Sequence, residues 1–98
     1  MAYLNESERE KLLNDLVKKN FGQAKRKLRH MDPDNRLVLF RNVQRQNEWT
    51  TKYELPNRGV VVTLIETRQN SDDDPNTRYH PDFELARVII EPTAENRT

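Results

Sequence analysis

The sequence predicts an α+β domain in two layers, with one or two N-terminal helices packed on a four-stranded antiparallel meander sheet. Three observations carry this expectation. Apolar residues recur every three or four positions up to Met31, the period of a helix face, and beyond residue 36 they fall in short strand-like runs, alternating over 49–55 and nearly continuous over 60–65. Clusters of Pro, Gly, Asn and Asp separate those runs. The apolar residues make up only 34% of a chain that is also 34% charged, yet they concentrate in 37–65 and 83–90, enough for one core. Ninety-eight residues suit a single domain, read here as 1–98 with a helical part over 6–31 and a sheet over 36–91.

The helical part begins at a capping box, in which a short polar side chain accepts from an orphan amide and a residue three positions on reaches back. Asn5 with Glu8 and Ser7 with Glu10 both satisfy the pattern. Leu13, Val17, Phe21, Ala24, Leu28 and Met31 form one stripe, widened by Leu12 and Leu16. Asn20 with Gln23 repeats the capping pattern, and Gly22 costs about 1 kcal/mol in a helix interior. Both a two-helix hairpin and a single kinked helix fit, and the capping signal favours a break near residue 20. Asp32-Pro33-Asp34-Asn35 ends the helical part, because the residue before proline is driven from the helical well.

Four strands follow, at 37–44, 49–55, 60–67 and 83–91. Trp49, Thr51, Tyr53 and Leu55 alternate with polar neighbours, giving the second strand one buried and one solvated face. A three-residue loop at Arg45-Gln46-Asn47 is expected to set Trp49 opposite Val43, Tyr53 opposite Leu39 and Leu55 opposite Leu37. Pro56-Asn57-Arg58-Gly59 supplies a proline for the second turn position and a glycine for positive φ, pairing Leu55 with Val60, Tyr53 with Val62, Thr51 with Leu64 and Trp49 with Glu66. Residues 69–78, rich in Asp and Asn, are expected to form a mobile acidic loop, and the polar tail 93–98 is expected to fray.

The sequence carries no motif that specifies an activity. With no cysteine there are no disulfides or thiolate metal sites, and with two glycines there is no glycine-rich phosphate loop. His30 and His80 form no local ligand pair, and Asp72, Asp73 and Asp74 lack the spacing of a calcium loop, so neither a metal nor a cofactor is expected. No apolar run approaches the ~20 residues that span a bilayer, and a cytoplasmic setting is the expectation.

Three places remain where function could reside. On the solvated sheet face, Val38, Phe40, Val61 and Ile65 are apolar where polar residues are expected, which points to a protein partner or a second copy in a homodimer. This non-catalytic interaction module is the leading expectation. Residues 18–45 carry nine Lys or Arg against Asp32 and Asp34, a net +7 between flanks of −2 and −4. Lys18, Lys19, Lys25, Arg26, Lys27 and Arg29 therefore form a candidate nucleic-acid patch, extended by Arg36, Arg41 and Arg45, although the whole chain is only +1. Lastly, the expected registers gather Arg41, Trp49, Thr51 and Glu66 at one end of the inner face as a candidate small-molecule cleft, without a nucleophile or an activating histidine.

Overall fold

A computed structural model describes residues 3–43, 48–68 and 83–97. Helices α1 (Glu6–Leu16) and α2 (Phe21–Met31) precede strands β1 (Arg36–Val43), β2 (Glu48–Leu55), β3 (Val60–Arg68) and β4 (Phe83–Pro92), and a short 3-10 helix spans Ala94–Arg97. The strands form one antiparallel sheet in the order β1-β2-β3-β4, the expected meander. The expected acidic loop at 69–78 lies outside the described residues.

Both capping boxes form. Asn5 caps α1, accepting from the Glu8 amide at 2.8 Å while its own amide donates to Glu8 at 3.0 Å. Asn20 caps α2 through the same exchange with Gln23. The helical part is thus a hairpin broken at 17–20, and Gly22 falls inside the first turn of α2 rather than at the break. Because each helix restarts its own phase, the continuous stripe is not kept. Leu12 and Leu16 are the buried face of α1, Leu13 packs at its margin, and Val17 in the turn is exposed. On α2, Ala24 and Leu28 are buried, with Phe21 and Met31 packed beside them.

The helices cover one face of β2, β3 and β4. Tyr53, Leu55, Val60, Val62, Leu64 and Val88 join Leu4 and the helix residues in a single core. β2 and β3 pair in the expected register: Leu55 faces Val60, Tyr53 faces Val62, Thr51 faces Leu64 and Trp49 faces Glu66.

The β1–β2 register differs from expectation. Val43 pairs with Glu48, across the four residues 44–47 rather than a three-residue loop, so Arg41 sits opposite Thr50 and Phe40 opposite Thr51. A one-residue slip turns every side chain to the other face. An irregularity between Leu37 and Leu39 then absorbs Val38 as a bulge, and Leu37 returns to face Tyr53. Leu39 and Arg41, expected on the helix side, therefore take positions on the other face, and Phe40 takes one on the helix side.

The sheet and helices are fastened at one corner, the β2–β3 turn. The Asp32 side chain is fully buried where α2 ends, and its carboxylate accepts from the Asn57 amide at 2.9 Å, from Asn57 Nδ2 at 2.7 Å and from the Asp34 amide at 2.9 Å. Arg58 Nε donates to the Met31 carbonyl at 3.0 Å. The Leu4 amide donates to the Arg58 carbonyl, and the Thr93 amide to the Gly59 carbonyl, both at 2.9 Å. Asn96 Nδ2 donates to the carbonyls of Leu4 and Gly59, each at 2.9 Å. The tail thus does not fray over Ala94–Arg97: a side-chain amide that local composition marks as polar and loose is used to bridge two chain segments.

Gly59 is required at this corner twice over. Its φ is +65°, and a Cβ there would lie 2.7 Å from Tyr3 Cγ. Gly22 has ordinary helical surroundings, with Asn20 Oδ1 3.6 Å from a Cβ. Gly59→Ala is therefore expected to lower the unfolding free energy by about 2–3 kcal/mol, combining left-handed strain with overpacking. Gly22→Ala is expected to raise it by about 0.5 kcal/mol. Urea unfolding of the two variants beside the parent checks both signs.

Candidate functional site

Among the described residues, the longest run of exposed apolar side chains lies on β1. Leu37, Val38, Leu39 and Phe40 are four consecutive apolar side chains with exposures of 54%, 48%, 39% and 60%. Two features of the fold cause this. Among the described residues β1 is an edge strand, paired to β2 alone, so one row of its backbone groups has no described strand beside it. Helix α1 lies along β4, at the opposite edge. Leu37 and Phe40 stand opposite the buried Tyr53 and Thr51, yet the helical layer does not reach far enough across to cover them.

Of the four residues read from the sequence as an interaction face, the structure brings together only part. Val61 and Ile65 occupy the face away from the helices and are half-buried. Val61 sits between Glu54 and Glu91, and Ile65 between Thr50 and Arg87. Flanking side chains of this kind cover apolar neighbours with their stems. Phe40 is on the opposite face, and Val38 is the bulged residue. The exposed patch is consequently Leu37–Phe40. Leu37 and Leu39 were missed because the assumed register buried both; the signal available was the unbroken Leu-Val-Leu-Phe run, which does not alternate.

The candidate cleft is also divided. Trp49, Thr51 and Glu66 share the helix-covered face, with Trp49 paired to Glu66, but Arg41 pairs with Thr50 and lies on the other side. Arg41 therefore does not pair with Glu66, and no cation lies within ion-pair distance of that carboxylate among the described residues. Burial alone holds Glu66 above the ordinary value of 4.5. Burial likewise pushes the Tyr53 hydroxyl up, opposed by the charge of Arg29 and reinforced by that of Glu66. Trp49 and Glu66 thus form a half-buried pair on the helix-covered face, without the arginine that would have completed the cleft.

The basic residues are spread around α2. Ala24 and Leu28 face the core, which puts Arg26 on the ridge directly opposite, at helical periodicity. Two shallow depressions flank that ridge. One, of about 190 Å³, is lined by Gly22, Lys25, Arg26 and Arg29. The other, of about 500 Å³, is lined by Asp15, Lys18, Lys19, Gln23, Arg26, Lys27 and His30. Asp15 bridges the helices, 3.6 Å from Lys19 and 3.3 Å from Lys27. Desolvation tends to raise the Asp15 pKa, but the two ammonium groups outweigh it and hold the carboxyl below 3.8. Arg36 is engaged with Glu54 across the β1–β2 pair. A further open depression of about 470 Å³ on the sheet side is lined by Lys52, Glu54, Glu91 and Glu95 together with apolar Val61 and Pro92.

No family model, curated protein or solved structure matches this chain.

Glu66 gives a test of this half-buried pair. A raised carboxylate pKa means that the folded state holds its proton more tightly than the unfolded chain, so stability falls as pH rises from about 4.5 through the folded pKa. Glu66→Gln is expected to shift the urea midpoint upward at pH 7 and to leave it unchanged near pH 3, where both states are protonated. An equal shift at both pH values would mean that packing, rather than charge burial, is the cause.

Proposed function

We propose that this chain is a non-catalytic protein–protein interaction module that docks through the edge strand β1. The observation that carries the reading is the run Leu37–Phe40, four exposed apolar residues in succession on a sheet edge that meets no further strand among the described residues. Edge strands ordinarily carry charges or are covered, because free backbone groups beside apolar side chains template the addition of another strand. Strand addition uses both features together: main-chain hydrogen bonds supply affinity, and side chains on alternate positions supply specificity. Arg36 and Arg41 bracket the run, so the apolar positions offered to a partner strand are the four between them.

Selection from a displayed random-peptide library tests this directly. Extended, apolar peptides are expected to enrich on the parent and not on a Leu39→Lys/Phe40→Lys variant, whose exposed substitutions leave the core intact. Equal enrichment on both, or none on either from a parent that sediments as a monomer, rejects the edge as a docking site.

A second reading, nucleic-acid binding, is favoured by one observation. Among the described residues, the ion pairs on the helical layer engage only Lys19 and Lys27, which leaves Lys18, Lys25, Arg26 and Arg29 to face solvent around the Arg26 ridge. No aromatic residue lies on that ridge to stack on bases, so contact would be to phosphates. Titration against duplex DNA at low salt is expected to show binding that weakens with a log–log salt slope of about −3 to −4, for three to four phosphate contacts. Absence of binding at low salt, or a slope unchanged in Arg26→Glu, rejects this reading.

A further inference from the structure

We propose that the occupant of the β1 edge is a second copy of this chain, added antiparallel about a two-fold axis between Val38 and Leu39. The inference rests on the reading of β1 as a docking edge and names its partner. The segment Arg36-Leu37-Val38-Leu39-Phe40-Arg41 has the same pattern in both directions, four apolar residues between two arginines. A two-fold interface requires such self-complementarity, because each residue pair occurs twice with the copies exchanged. Pairing about the centre of this segment sets Leu37 opposite Phe40 of the second copy, and Val38 opposite its Leu39.

The bulge makes this pairing consistent in three dimensions. In a regular strand, residues 37 and 40 point to opposite faces. Here the irregularity at Val38 gives both of them partners on the helix-covered face of β2, Tyr53 and Thr51. Residues directly opposite in an antiparallel pair share a face. Leu37 and Phe40 of both copies therefore meet on the same side of the joined sheet, in one apolar strip of four side chains. A regular β1 would instead set an inward residue against an outward one.

The described residues leave room for this contact. Helix α1 lies at the β4 edge, so joining two β1 edges brings together the uncovered margins of the sheet and keeps α1 of each copy at its far side. The result is a continuous eight-stranded sheet with order β4-β3-β2-β1-β1-β2-β3-β4. The same register places Arg36 opposite Arg41 of the second copy. Glu54, already engaged with Arg36, supplies a carboxylate at each end of the strip.

The chain contains no cysteine, so introduced thiols report this register without background. Leu37→Cys and Phe40→Cys are prepared separately, then oxidised alone and after mixing. In the proposed register a Cys at 37 faces a Cys at 40 of the other copy at cross-strand distance, about 5 Å between Cα atoms. Two residues 37, or two residues 40, stand about 10 Å apart along the strands, beyond disulfide reach. A covalent dimer is thus expected from the mixture and from neither variant alone. Sedimentation of the parent is expected to show twice the monomer mass, and Phe40→Lys the monomer.

Three results overturn the proposal. A parent dimer without a mixed cross-link disproves the register while leaving the edge as a docking site. A parent that is monomeric at high concentration, yet captures extended peptides through β1, assigns the edge to a different protein. Cross-linking of each variant with itself, equal to that of the mixture, places the axis elsewhere.

Discussion

The interaction on which the rest of this structure depends is the grip of Asn57 on the buried carboxylate of Asp32. An ionisable group removed from water is costly unless its lone pairs are met, and here three N–H donors meet them, two from Asn57 and one from the Asp34 amide. The contact joins residues 25 apart in sequence and fixes the end of α2 to the β2–β3 turn. The turn in turn anchors Leu4 and Thr93 through its own carbonyls. Helical layer, sheet and both flanking segments are therefore referenced to one point. The position of that point, and of α1 beside β4, leaves β1 as the margin that the helices do not reach.

Much of this architecture was legible in the sequence, where local chemistry and long-range pattern agree. Pro56-Asn57-Arg58-Gly59 names its own turn, and the alternation of β2 before it agrees, so the β2–β3 register followed from both. The boxes Asn5/Glu8 and Asn20/Gln23 are local by nature and formed as read. β1 failed for the complementary reason. Its Leu-Val-Leu-Phe run does not alternate, so the pattern could not choose between faces, and the bulge at Val38 removes the constant register that pattern-matching assumes. Asp32 was read only as a turn residue before proline. Nothing in its local sequence announces a partner at residue 57. Asn96 was hidden in the same way, as one polar residue in a polar tail.

The same reasoning reshaped the candidate site. The assumed register placed Arg41 with Trp49, Thr51 and Glu66, and placed Phe40 with Val61 and Ile65. The actual register exchanges Arg41 and Phe40 between faces. That exchange dissolves the proposed cleft, because its cation leaves, and it concentrates the exposed apolar surface on a single strand. Sequence composition had already flagged excess apolar residues outside the expected core; only the pairing showed that they lie along an edge and not across a face. The basic side chains of α2 occupy the outer surface of the helical layer, away from the core-facing residues Ala24 and Leu28. Edge docking and phosphate contact therefore use separate surfaces.

The contacts of Asn96 carry a mechanical consequence. Its side-chain amide holds the Leu4 carbonyl at 2.9 Å, so the chain enters and leaves the fold at the same corner. A force applied through the two ends would not load the sheet along its strands in parallel. It would load one side chain's hydrogen bonds first, then the Leu4–Arg58 and Thr93–Gly59 backbone bonds that share the corner. The domain would open by peeling from that corner, element by element, and any segment fused before Leu4 would emerge beside one fused after Asn96.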